Sequence, residues 1–252
     1  LIGCELVAKA KPDGYMLLVG GTGTMSINQH LYKNMSYDPV KSFVPVALFG
    51  YSTSVLVVHP SVQAKTIGEL IADIKAKPPE TYKYASAGVG SSPHLTAEMF
   101  KQMTGTAVLH IPYKGSTPGV IGTMSGETQM MFTGVSSAVA HIKSGRLKAL
   151  SISGPKRSPA LPSVPTAGES GLPGFEADFW IGLFAPAGTP PAVVARLNSE
   201  VNRVLTSQQV KEKFLTTGVD SMVISPEAFG AIMAQDIERW GKTVQLSGLK
   251  ME

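Results

Sequence analysis

The stretch Tyr82 to Met103, YKYASAGVGSSPHLTAEMFKQM, constrains the fold more than any other part of the chain. Tyr82-Lys83-Tyr84-Ala85 reads as a short strand and Ser86 to Ser91 as a loop of small residues. Behind the loop, Leu95, Met99 and Met103 recur at helical spacing. Ser92 is placed to cap that helix, with Pro93 at its first position. A strand, a Gly/Ser loop and a helix start together form an anion cradle. The first-turn N–H groups have no intrahelical partner and carry the positive end of the helix dipole. Glycines let a ligand approach the backbone closely. One such loop is equally compatible with a plain structural turn, so the functional reading rests on recurrence.

The unit does recur. Tyr15 to Val19 reads as a buried strand, followed by the loop Gly20-Gly21-Thr22-Gly23-Thr24 and a helical run from Met25 to Leu31. Ala107 to Ile111 is a strand ahead of the small-residue loop Pro112 to Pro118 and a helix over Gly119 to Met124. Glu127 to Phe132 is a strand ahead of the loop Thr133 to Ser137 and a helix ending at Gly145, and Leu147 to Ile152 is a further strand. Between the first two units lie the strand-like runs Val44 to Phe49 and Ser54 to Val58. Thr66-Ile67-Gly68-Glu69 is a capping box that opens another helix. This alternation predicts an α/β fold with mainly parallel sheets and flanking helices, which binds ligands outside the carboxyl ends of its strands. After a Pro/Gly-rich loop from Ser158 to Gly174 come an apolar strand, Phe179 to Pro186, and three helices. The first is capped by Thr189-Pro190, the second spans Gln208 to Thr216, and the third, capped by Ser225-Pro226, runs from Glu227 to Trp240.

Composition narrows the function. A net charge of +4 over 252 residues, with Lys and Arg scattered and no basic run, argues against nucleic acid. The single cysteine, Cys4, excludes a disulfide framework or a cysteine-based zinc site within one chain. The phosphate-binding, zinc-protease and serine-hydrolase signatures are all missing. The Gly21-x-Gly23-x-x-Ser26 run has Ser where a dinucleotide fingerprint needs Gly or Ala, and the nearest acid, Asp38, sits in a turn. No two of His30, His59, His94, His110 and His141 are spaced as a metal pair, and acidic residues are sparse in the four loops. Neither metal nor cofactor is expected. The loops offer hydroxyls and backbone N–H groups, which suit holding an anion rather than transforming it. His94 falls at the start of a helix, where the dipole disfavours its charged form; capping, packing and ligand donation are all open to it.

Seven ordered motifs then carry a resemblance. They are Pro12-Asp13-Gly14-Tyr15, Tyr37-Asp38-Pro39-Val40, Val57-Val58-His59-Pro60-Ser61, Gly90-Ser91-Ser92-Pro93-His94, Pro112-Tyr113-Lys114-Gly115, Lys156 to Pro162 and Phe184 to Pro190. The chain resembles the substrate-binding receptors of tripartite tricarboxylate transporters, the Bug family, over essentially its whole length. The resemblance implies a two-lobed type II periplasmic-binding-protein fold with a ligand cleft between lobes. It implies a monomeric periplasmic receptor that captures a di-, tri- or aromatic carboxylate and delivers it to membrane permease subunits. The family's ligand loops carry over onto Thr22, Gly23 and Thr24; Ser86, Ala87, Gly88, Gly90, Ser91 and Ser92 with His94; Tyr113, Lys114 and Gly115; and Thr133, Gly134 and Val135. Members often carry Asp-Asn where this chain has Thr133-Gly134, which leans away from amino-acid ligands.

Lobe I is expected to comprise residues 1–52 and 180–252, and lobe II residues 53–179. Leu1 to Ala10 reads as the last turns of a helix. Family members begin with a secretory signal, a strand and a Pro-Gly-Gly loop, so the expectation is that an upstream part of lobe I is missing. Two other readings stay open: a small-molecule enzyme, such as a lyase or transferase, using the same Gly/Ser loops, and a nucleotide-binding regulatory domain.

Overall fold

In the computed structural model, which describes residues 2–248, the chain divides into two units, each built on its own sheet. Unit 1 holds the residues up to Tyr51, Phe179–Phe214 and those from Val219 on; unit 2 holds Ser52–Asp178 and Leu215–Gly218. In chain order the elements are α1 (Ile2–Ala8), β1 (Leu18–Gly21), a π-helical turn (Gly23–Ile27), α2 (Asn28–Leu31), β2 (Phe43–Ser52), β3 (Ser54–Val58), α3 (Ile67–Lys75), β4 (Lys83–Ser86) and α4 (Ser92–Thr104). They continue with β5 (Leu109–Pro112), α5 (Ser116–Met124), β6 (Met130–Gly134), α6 (Val135–Lys143), β7 (Lys148–Ile152), β8 (Phe179–Pro186), α7 (Pro191–Leu205), α8 (Gln208–Thr217), β9 (Val219–Ser221) and α9 (Pro226–Ser247). No helix among the described residues is long and apolar enough to cross a membrane.

The sheet of unit 2 runs β5-β4-β6-β3-β7. Strand β4 is parallel to β5 and β6, whereas β3 is antiparallel to both β6 and β7. In unit 1 the order is β1-β8-β2-β9, and β1 is antiparallel to β8. The unit 2 sheet is therefore mixed, with two parallel and two antiparallel pairings, rather than mainly parallel. Strand–helix alternation predicts crossovers, but it does not say which strand slips between two others. Here β3 enters between β6 and β7 in the opposite sense.

Two apolar layers sandwich the unit 2 sheet. Leu56, Tyr84, Met130 and Phe132 face Ile67, Leu70 and Ile74 of α3 and Ala97 and Phe100 of α4. Val55, Val57, Ala85 and Met131 face Val120 of α5 and Val135 and Ala138 of α6. The alternation of inward side chains along β3 and β6 is what supplies both layers. In unit 1, Trp180 and Phe184 of β8 pack with Phe229 and Met233 of α9, and Trp180 meets Phe229 edge-on at a centroid separation of 5.1 Å.

Several local expectations shift. Tyr15 is 94% exposed, and the strand begins only at Leu18. The side chain of Asp13 accepts the Tyr15 N–H and prolongs the turn. Strand β1 is an edge strand with β8 as its neighbour, which leaves Val19 exposed as well. Gly20 and Gly21 pair with β8 instead of forming a loop, so the chain passes from strand to π-helical turn through Thr22. Likewise β6 runs through Thr133 to Gly134 and α6 starts at once, which removes most of the expected Thr133–Ser137 loop.

Candidate functional site

Parallel strands end on the same side, so β4, β5 and β6 bring the predicted loops of unit 2 to one sheet edge. Ser86 lies beside Pro112 in the β4–β5 register, and Tyr113 donates its N–H to the Ser86 carbonyl at 3.1 Å. Gly134, at the end of β6, pairs with Ser54 at the start of β3. Strand β7 ends at the same edge, since Ile152 pairs with Val55. The helices that follow, α4, α5 and α6, open at this edge.

Helix α4 starts one residue earlier than its sequence suggests. Ser91 is the N-cap in an extended conformation, Ser92 is the first helical residue, and Pro93 is the second. The Ser91 hydroxyl donates to the Gly88 carbonyl at 2.6 Å and so makes no capping bond. Neither α5, entered through Gly115, nor α6, entered through Gly134, has a side-chain cap. In contrast, Thr66 accepts the Glu69 N–H at the start of α3, and Ser225 accepts the Ala228 N–H at the start of α9. Helix α7 is also uncapped, for the simpler reason that its N-cap is Pro190. First-turn N–H groups with no intrahelical partner are thus concentrated at one edge of unit 2. One of them is already used, because Val135 N–H donates to the Thr53 carbonyl at 3.1 Å.

The loop from Ser86 to Ser91 is tied down from within. The Ser86 hydroxyl accepts the Gly88 N–H at 3.1 Å and lies 2.7 Å from His110 Nε2. His94 is buried, and its Nδ1 accepts the Gly90 N–H at 3.0 Å. Gly88 and Gly90 have φ of 122° and 74°, values that L side chains rarely adopt. Ser92 and Lys114, by contrast, are accessible, and their side chains make no hydrogen bond or ion pair among the described residues. Lys114 is the cation on this edge nearest the start of α5, beside Gly115 with φ 118°.

Other predicted residues are committed to structure. The Tyr113 ring lies against α5 at Gly122; burial, then the Glu127 carboxylate, push its phenol up to about 12. Thr133 is buried, and its hydroxyl finds no partner among the described residues. Thr22, Gly23 and Thr24 lie in unit 1, apart from the other predicted residues in the division of the chain. The Thr22 hydroxyl accepts the Trp180 N–H at 2.9 Å, and the Thr24 hydroxyl bonds both polar backbone groups of Gly21. A cavity of about 980 Å³ in unit 1, lined by His30, Ile237, Gly241 and Val244, contains none of the predicted residues.

His110 is the residue that sequence reasoning missed. The β4–β5 register sets it beside Tyr84, and only that register brings its ring to Ser86. The helical spacing of Leu95, Met99 and Met103 marks the buried face of α4 only in part: Leu95 is buried and Met99 packs on the core. Met103 is exposed, while His94, Ala97, Glu98 and Phe100 are buried. Among the described residues no group of three or more His, Cys, Asp or Glu is placed to hold a metal ion.

Comparison with known proteins identifies the family. The family described as "Tripartite tricarboxylate transporter family receptor" matches residues 1–249. Protein BugT of Bordetella pertussis (strain Tohama I) is 34% identical over 253 residues, covering 100% of this chain and 77% of BugT. The structure of Rpa4515 from R. palustris with adipate superposes with a TM-score of 0.91 at 30% identity, over 99% of this chain and 83% of that one. MatC (Rpa3494) from Rhodopseudomonas palustris, with bound malate, gives a TM-score of 0.84 at 31% identity, over 96% and 83% of the two chains. The chain therefore belongs to the tripartite tricarboxylate transporter receptor family, the Bug proteins, which are solute-binding proteins of the periplasmic type and not enzymes.

Proposed function

We propose that this chain is a periplasmic receptor that binds a small organic carboxylate and delivers it, as a monomer, to the permease subunits of a tripartite tricarboxylate transporter. The observation that carries the reading is the set of helix starts α4, α5 and α6, which open at one sheet edge without side-chain caps. A carboxylate accepts N–H bonds and gains from the positive dipole ends, so such an edge is suited to it. Ser91, Ser92, Gly115, Gly134 and their neighbours would supply backbone and hydroxyl donors, and Lys114 the countercharge. Ser86, Ala87, Gly88 and Gly90 shape the loop, while Thr133 and Val135 set the end of β6. In unit 1 the start of the π-helical turn, Thr22-Gly23-Thr24, offers backbone donors of the same kind. The adipate and malate held by the two similar structures support a dicarboxylate as the first class to test.

Calorimetry with adipate, malate, citrate and benzoate tests the reading. Saturable binding of at least one, with that ligand recovered unchanged, is the expected outcome. The absence of binding to all four, or the appearance of a product, would overturn it.

A further inference from the structure

Under the Ser86–Ser91 loop lies a column of three rings. Tyr84 of β4, His110 of β5 and His94 of α4 stack with centroid separations of 4.8 Å between Tyr84 and His110 and 4.0 Å between the two imidazoles. Each imidazole holds part of the loop. A backbone N–H can only donate, so the 3.0 Å bond from Gly90 requires an unprotonated Nδ1 on His94. The single ring proton is then on Nε2, which faces Glu98 Oε1 at 3.9 Å. His110 Nε2 meets the Ser86 hydroxyl at 2.7 Å, and that hydroxyl accepts the Gly88 N–H and donates to the Gly88 carbonyl, each at 3.1 Å.

We infer that His94 and His110 are positioning residues for the anion-binding loop: a neutral His94 latches Gly90, His110 holds Gly88 through Ser86, and uptake of a proton by the stacked pair, which settles on His94, releases the Gly90 latch and weakens anion binding. The inference rests on the carboxylate reading above. The groups facing the pair are Tyr84 on β4 and Glu98 and Lys101 on α4. Tyr84 donates to Glu98 at 2.7 Å, and Lys101 bonds both of its carboxylate oxygens at 2.8 and 3.0 Å, so that charge is already engaged. Because Glu98 lies beside His94 Nε2, an entering proton is stabilised on the His94 ring. It must then sit on Nδ1, where it confronts the Gly90 N–H. A second proton is opposed by repulsion between rings 4.0 Å apart. Burial lowers the affinity of His94 for a proton, and burial followed by the His94 charge pushes His110 down to about 4.

The sign separates this role from ligand contact. An imidazolium touching a carboxylate would tighten binding as pH falls; a latch that needs a neutral His94 ring loosens it.

The test is calorimetry of adipate and malate on the full chain from pH 7.5 to 4.5, with the ligand's own protonation subtracted, beside NMR of the Gly88 and Gly90 amides and the histidine rings. Affinity should fall on acidification, and the Gly90 amide should shift as His94 titrates. His94→Leu, which leaves the Gly90 N–H without an acceptor, should weaken binding at pH 7.5 by roughly tenfold. His94→Asn places an amide oxygen near the Nδ1 position without a titrating ring; it should rescue most of that loss and flatten the pH profile. Constant or rising affinity on acidification, with the Gly90 amide unmoved as His94 titrates, would overturn the inference and leave the carboxylate reading standing. If none of adipate, malate, citrate and benzoate binds at pH 7.5 while the Gly90 amide still follows His94, the latch stands and the carboxylate reading fails.

Discussion

Ser92 and Gly88 show how two residues of one loop differ in what they contribute. The Ser92 hydroxyl, at the first helical position of α4, bonds no side chain or backbone group among the described residues. A hydrogen bond to a charged ligand is worth about 1.5–3 kcal/mol. Ser92→Ala should therefore weaken carboxylate binding roughly tenfold or more, with little change in melting temperature, since Ser91 and not Ser92 occupies the cap. An unchanged dissociation constant in calorimetry would remove Ser92 from the site. Gly88 acts on the fold of the loop instead. Its φ of 122° is strained for any other residue, and an added Cβ would sit 3.3 Å from the Tyr113 carbonyl oxygen. Gly88→Ala should cost about 1–3 kcal/mol in urea unfolding and distort the loop at the same time.

At the scale of elements, helix α9 is held to strand β8 by a polar contact within an apolar layer. Trp180 is fully buried, and its Nε1–H donates to Asp236 Oδ2 at 2.6 Å. Asp236 also pairs with Arg239 at 2.8 Å on the same helix. Asp236→Ala would leave the Trp180 indole N–H buried without an acceptor, which typically costs about 1–3 kcal/mol. Urea unfolding of the variant should show a lower midpoint with an unchanged slope; a midpoint equal to the parent's would mean that the indole finds another partner. Gly182 belongs to the same contact. A Cβ there would come within 2.3 Å of Phe229, so α9 lies against β8 only because that position lacks a side chain.

For the whole molecule, the two loop histidines set a direction for stability against pH. Both have proton affinities lowered by folding, His110 to about 4. Between about 4 and the ordinary histidine value near 6.5, the unfolded chain binds more protons than the folded one. Stability should thus fall as pH drops through that window and stop falling on their account below it. The size expected is on the order of 1–2 kcal/mol, once solvent screening of the half-buried His110 is allowed for. Asp38 and Asp73, held below 3.8 by backbone and side-chain hydrogen bonds, add their loss only at lower pH. Asp236 works the other way, because burial raises its value and protonation relieves that cost. Denaturant unfolding at pH 7, 5.5 and 4.5 measures the slope; a flat profile would mean that the rings are solvated in the folded state.

The sequence by itself determined the elements and the chemical character of the candidate site. Local signals suffice for that: Thr66 and Ser225 cap the helices that they were expected to cap, and β3, β7 and β8 fall where apolar runs are bounded by turns. Ordered motifs along the chain also carried the family. What only the tertiary structure decided is which residues stand next to each other. The antiparallel insertion of β3 between β6 and β7, the edge position of β1 and the pairing of Tyr84 with His110 all depend on strand order and register. Nothing within a window of a few residues encodes these. For the same reason His94, which at the start of a helix looks able to face a ligand, turns out to lie beneath the loop. It is drawn there by a ring stack whose other members come from two different strands.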